Sequence, residues 1–241
     1  MTGGYKLGGN VNIGNNPTFA PQLTGNQVGN APANLVMGNG NVVEGNYNVA
    51  FGQSNTVSGT SDSRSNFVGG ENSKIIGGTG SILFGRSGET HQSASYSVGL
   101  GYGPELESNA FGGIAIGLSK VDGLLGIAMG FGATGSASYT IAMGRSAKAT
   151  ASDAIAMNGT GSATNTIGIG GTASAVKAIA IGSGAAATTS GSIVLGRGSM
   201  SAGRLGGFRL NANGGKDQTS SYQICQSLGA TTDATPTKIF L

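Results

Sequence analysis

The chain has no tryptophan, one histidine, one cysteine and five prolines in 241 residues, and only 10% of its residues are charged. A single thiol, Cys225, closes no disulfide within the chain, so folding depends on no oxidising compartment. Five prolines, three of them (Pro17, Pro21, Pro32) near the start of the chain, exclude a collagen helix, which also needs glycine at every third position. No apolar run approaches the roughly 20 residues of a bilayer-spanning helix. The longest, near Leu124 to Ala133, is short and interrupted by glycine, so a membrane-embedded protein is not expected. Residues 1–10 hold one Lys and no apolar run of signal-peptide length, which predicts synthesis without an export leader. Thirteen basic against ten acidic residues give a net charge of +3 and a pI near 9.1. The basic residues are scattered singly from Lys6 to Lys238 without the stripe that nucleic-acid binding uses, so no nucleic-acid partner is expected. Hydrophobic residues at 38% with so small a net charge also argue against a disordered chain.

What is abundant is glycine, 47 residues, and it recurs in a phrase. An apolar residue, a small one, a second apolar one and then Gly appear at Ile114–Gly117, Ile127–Gly130, Ile141–Gly144, Ile155–Asn158, Ile167–Gly170, Ile179–Gly182 and Ile193–Gly196, the closing positions being spaced by 13, 14, 14, 12, 12 and 14. Looser copies end at Gly38, Gly52, Gly69, Gly85 and Gly101, at spacings of 14, 17, 16, 16 and 16 up to Gly117. Internal repetition at a fixed short period is the signature of a stacked architecture. Each copy alternates with period two and is bounded by Gly, Ser, Asn and Thr, which predicts a short strand between turns. Glycine after the strand allows positive φ at a corner. About twelve coils, each with two short strands, predict an all-β parallel solenoid, a rod of roughly 60 Å at about 4.8 Å per coil.

The strands are apolar on both faces. Ile114, Ile116, Ile127, Met129, Ile141, Met143, Ile155, Met157, Ile167, Ile169, Ile179, Ile181, Ile193 and Leu195 point one way and are taken as the structural core. The residue between each pair (Ala115, Ala128, Ala142, Ala156, Gly168, Ala180, Val194) points the other way and is also apolar or small. A strand greasy on both faces is covered on both, and so thin a coil covers one of them. A second copy of the chain is expected on the other face. Two large aliphatic side chains, at about 1.5–3 kcal/mol each, barely offset the ordering of about 14 residues at ~1–2 kcal/mol each. Cores shared between chains relieve that deficit.

Ser152–Met157 through Ser162–Ala163, and Val176–Gly182 through Ala185–Ala187, resemble the head repeat of YadA-like trimeric autotransporter adhesins. That repeat runs approximately Ser-x-Ala-Ile-Gly-x-x-Ala-x-Ala. The resemblance covers residues 109–202 well and 35–108 loosely. It implies a left-handed parallel β-roll assembled as a homotrimer. The family's neck sequence, coiled-coil heptads and membrane-anchor strands are not found. The same roll occurs in phage tail fibres, and Leu228–Leu241 looks like the opening of a β-rich module found downstream in such fibres. The expected organisation is therefore an N-terminal segment (1–34) of attachment or first coils, β-roll repeats (35–202, tight over 109–202), and a C-terminal connector or cap (203–241). In that last segment Tyr222–Leu228 is expected to pair with Thr237–Leu241.

The function these readings imply is that of a virion structural protein, a trimeric shaft or head of a phage tail fibre. Its partners would be other tail or baseplate proteins and a host-surface glycan or protein. The alternative is the passenger of a bacterial trimeric adhesin, located on the cell surface. A third class, a glycan depolymerase, would need the carboxylates Glu105 and Glu107, two residues apart and about 7 Å from each other on an extended segment, a separation used in glycoside hydrolysis. They follow Pro104 in an expected loop, with no Trp to stack on sugar, so no enzyme is expected. His91, the only histidine, reads as an exposed loop residue. The five Asp (62, 122, 153, 217, 233) show no period, so no calcium-repeat metal site is expected, and no cofactor. Gly99–Gly103 and Gly168–Gly171 lack the following helix of a dinucleotide fingerprint and read as corner glycines. Asn34, Asn39, Asn41, Asn46, Asn48 and Asn55 suggest wider turns with exposed loops. Arg86, Arg145 and Arg197 follow strand-ending glycines at comparable corners, and the stretches around Thr60–Arg64, Thr90–Tyr96 and Tyr102–Ser108 are expected loops where a receptor contact would lie.

Overall fold

The computed structural model describes residues 34–59 and 64–198, together with the backbone of two short strands, Val11–Asn12 and Gln27–Val28. The readings placed on residues 203–241, and on 60–63, lie outside the described residues. Every described element is a strand, and all strands pair in parallel. They form a 13-stranded and a 12-stranded sheet, and the chain alternates between them, each strand pairing with its counterpart one coil away. The result is a parallel β-solenoid of about eleven turns. No helix among the described residues is long and apolar enough to cross a membrane.

The first sheet is in register from Leu35 through Val49, Phe67, Ile82, Val98 and Ile114 to Ile193, so each apolar phrase stacks on the next. The second runs from Val42 through Thr56, Lys74, Glu89, Glu105 and Lys120 to Ala186. One upstream copy sits a residue away from its expected register, because Gly70, not Gly69, aligns with Gly52 and Gly85. Gly69 instead takes a position filled elsewhere by Phe or Leu, and the ring of Phe84 lies over it where a Cβ would stand. The expected positive φ at the glycines after the strands is present, from +63° to +142°, with Asn158 at +47°.

The interior is made by the residue between each apolar pair. Val36, Ala50, Val68, Leu83, Ala115, Ala128, Ala142, Ala156 and Ala180 of the first sheet are fully buried. They face Val43, Val57, Ile75, Leu106, Val121, Ala149, Ala173 and Ala187 of the second, also fully buried. The side chains shrink along the rod from Val, Ile and Leu to Ala and Gly as the coils shorten toward the tight repeats. The size matching is local as well: Gly99 leaves room for the Leu83 methyl, which lies 2.5 Å from where a Cβ would sit.

This assignment corrects the expected core. None of the fourteen residues from Ile114 to Leu195 points into its own coil; all are half-buried or exposed, Met157 at 40% and Leu195 at 66%. Two sheets closed by so few residues leave space between them for Ala and Gly, and the longer Ile and Met side chains fit only outside.

The asparagines are a second correction. Asn34, Asn41, Asn48 and Asn55 are buried, as is Asn66, and they form two amide ladders inside the first coils. The Asn48 backbone N–H donates to Asn34 Oδ1 at 2.8 Å, Asn66 N–H to Asn48 Oδ1 at 3.0 Å, and Ser81 N–H to Asn66 Oδ1 at 2.9 Å. The parallel row links Asn55 to Asn41 and Ser73 to Asn55, each at 3.0 Å. Their side-chain amides donate onward to backbone carbonyls such as Glu44 O and Phe51 O. Widened coils need extra polar atoms to satisfy the backbone at their corners, and Asn supplies a donor and an acceptor at once.

Candidate functional site

The two outer faces of the solenoid differ sharply. On the first sheet, 24 outward positions run over twelve successive strands, and 23 of them carry Val, Ile, Leu, Met or Phe, Gly69 being the remaining one. On the second sheet the outward residues are chiefly Thr, Ser, Lys, Glu and Asp, as in Thr134/Ser136, Lys148/Thr150 and Thr160/Ser162. Parallel in-register stacking turns each choice of residue into a column, so the first sheet presents a continuous apolar stripe about 53 Å long, eleven steps of about 4.8 Å. Contiguous apolar surface of this kind is the feature by which interaction faces are sought. Phe67 stacks on Phe84 at 4.8 Å between centroids and meets Phe51 edge-on at 5.7 Å.

Glu71, Arg86 and Tyr102 at the ends of first-sheet strands, and Leu118, Phe131 and Arg145 in the corners just past shorter ones, fall in one column. Arg86 Nε pairs with Glu71 Oε2 at 3.3 Å, and Tyr102 and Phe131 are 59% and 64% exposed. Arg197 holds the same place in the last described coil. Tyr47, Tyr96, Leu125 and Tyr139 mark the opposite corner, each with positive φ, and Tyr96 meets Phe111 edge-on at 5.3 Å. The sequence reading singles out Arg86, Arg145 and Arg197 at these corners and misses the aromatic side chains. The available signals are an aromatic residue four places after a strand start (Tyr102, Phe131) or two places before one (Tyr47, Tyr96, Tyr139), visible only once strand starts are aligned.

Two of the three expected receptor loops prove to be partly strand. Thr90 closes the strand Glu89–Thr90 and points inward, fully buried. Tyr102 ends the strand Val98–Tyr102, and Glu105 and Leu106 form the next one. Glu105 and Glu107 therefore project from the outer face of the second sheet, not from a loop. His91 follows Glu89 on that face, one coil away. Lys120 Nζ donates to Glu105 Oε1 at 3.1 Å and to Glu107 Oε1. The lysine hydrogen bond holds the Glu107 carboxyl below the usual carboxylate range against an opposing effect of burial, and the Glu107 carboxylate in turn raises Lys120. The lysine ammonium favours the ionised form of Glu107, which suits it poorly to the part of a proton-donating acid. Gly99, Gly101 and Gly103 lie along and just past one strand, and Gly168–Gly171 run from a strand into its corner, with strands following in both cases.

Among known proteins, no family model matches the chain and no curated protein matches it.

Proposed function

We propose that the chain is a structural segment of a phage tail fibre, a β-roll that assembles as a homotrimer through the apolar face of its first sheet. The observation that carries this reading is the stripe of 23 large apolar side chains on one outer face, opposite a polar one. Buried apolar area returns about 25 cal/mol per Å², and a continuous column on a rigid rod buries it without further ordering of the chain. In the trimer the fourteen residues from Ile114 to Leu195 become a shared core between chains. The polar second sheet stays in water, and the exposed corners with Arg86, Tyr102, Phe131 and Arg145 remain to meet a host-surface glycan or protein. Other tail or baseplate proteins join the ends of the rod.

Light scattering tests the assembly: a mass near three times 23.5 kDa is expected, and a stable species of 23.5 kDa removes the basis of the fibre reading. Immunogold labelling with an antibody against the chain tests the setting. Label on the tails of virus particles is expected; label on bacterial cell surfaces moves the protein to the adhesin class.

A further inference from the structure

Acidic residues on the outer face of the second sheet are concentrated in one place. In three successive coils that face carries Glu89 and His91, then Glu105 and Glu107, then Lys120 and Asp122. These include four of the ten acidic residues of the chain and its only histidine. The ladder pairs Glu89 with Glu105 and Glu105 with Lys120, so two like charges stand directly one above the other. Stacked like charges on neighbouring strands are destabilising, and an in-register sheet has no means of separating them. Two lysines, Lys74 in register with Glu89 and Lys120 with Glu105, stand against four carboxylates, Glu89, Glu105, Glu107 and Asp122. The group is left short of cation.

We propose that His91, Glu105 and Glu107 form a surface site for a divalent cation of the zinc type. One ligand atom from each of the three lies within 4.8 Å of the others. Two oxygens of one carboxylate share the work: Glu107 Oε1 accepts from Lys120, while Oε2 stands 3.8 Å from His91 Nε2. Lys120 thus aims the Glu107 carboxylate without using the oxygen that faces the imidazole. Glu89 Oε1, at 3.9 Å from the same His91 Nε2, is a further oxygen donor within reach. Zinc takes imidazole nitrogen and carboxylate oxygen at about 2.0–2.2 Å, and three protein ligands with a water complete its tetrahedron. Tetrahedral ligands at that bond length lie about 3.3–3.5 Å apart, so the side chains close by only about 1.5 Å. All three are partly exposed side chains above a fixed ladder. The nitrogen donor and the count of three disfavour calcium and magnesium, which take six or more oxygens or keep their waters. The site stands on the polar sheet, so it is independent of any assembly through the apolar one.

Titration calorimetry of the full, untagged chain with zinc chloride tests this, in a Cys225→Ser background so that the thiol contributes no heat. A saturable isotherm with one ion per chain is expected, and no heat from magnesium or calcium chloride at the same concentrations. His91→Ala and Glu107→Gln are each expected to weaken binding at least tenfold, while Glu44→Gln, on the same face several coils away, leaves it unchanged. Far-UV circular dichroism confirms that each variant keeps its β-structure. His91 and Glu107 have side chains on the outside, so their loss leaves the interior intact. Absence of saturable zinc binding, or binding that survives His91→Ala undiminished, overturns the proposal.

Discussion

At Gly70 the backbone adopts φ +107°, and a Cβ there would run into the carbonyl oxygen of Gly85 in the next coil. Gly70→Ala is therefore expected to cost about 3 kcal/mol or more, since Ala is both strained at that φ and blocked by backbone. Gly191, at φ +70° with nothing within 4 Å of its would-be Cβ, meets only the conformational part. Gly191→Ala should cost about 1–2 kcal/mol. Urea unfolding followed by circular dichroism compares the two, and equal losses would refute the steric account. Buried Asn48 makes the same kind of argument for polar atoms. Its Oδ1 accepts from the Asn66 N–H and its Nδ2 donates to Glu44 O at 3.0 Å. Asn48→Leu leaves the buried Asn66 N–H without that partner and removes the bond to Glu44 O, an expected loss of about 2–4 kcal/mol from one unsatisfied buried group at ~1–3 kcal/mol and one lost hydrogen bond at ~0.5–1.5 kcal/mol, checked in the same unfolding experiment.

Single strands of this protein are too short to stand alone, and each is held by its neighbours in the ladder above and below. The energetics of an element are therefore set by what its one inward side chain fills. Ile75 is fully buried in the cluster with Val57, Val68 and Leu83, where the coils are wide. Ile75→Ala leaves a cavity there and is expected to cost about 2–5 kcal/mol. Ala156 stands in the tight half, packed in one cluster with Ala142, Ala149 and Ala154. Ala156→Leu has no space to enter and is expected to cost about 1–3 kcal/mol or more by forcing the sheets apart. Opposite signs of volume change, both destabilising, are the mark of a tapered core; denaturant midpoints of the two variants provide the measurement. The wide and tight halves were legible in the sequence as two spacings, but the interior asparagines were not. Asn is as common in exposed turns as in amide ladders, and only the coil-to-coil register shows each Oδ1 meeting the next backbone N–H.

Over the whole molecule, one outer face is apolar and the other polar, so a change of the same size has different consequences on the two sides. Met157 projects outward and is 40% exposed, so Met157→Lys places its ammonium in water in the single chain. The fold is expected to persist and the assembly to fail, because the same charge in a covered apolar seam would be unpaired. Light scattering should show the mass falling from the trimer value to 23.5 kDa with the β-sheet dichroism unchanged. Lys148→Ala, on the polar face, should alter neither. A Met157→Lys protein that keeps the larger mass would place the contact between chains elsewhere.

From sequence alone the period, the strand positions, the corner glycines with positive φ and the all-β parallel stacking could be read, because each rests on local chemistry: alternation, Cβ sterics and repetition. The tertiary structure decided which face is inside. Period two distinguishes the faces of a strand only when they differ in polarity, and Ile-Ala-Met is apolar on both. Closing two sheets with so short a coil turns the choice into one of volume, which selects Ala for the interior and puts Ile and Met outside. Register likewise brought His91 within reach of Glu105 and Glu107 in the neighbouring coil. Residues a full coil apart in the chain become neighbours through the length of that coil, a property no single segment contains.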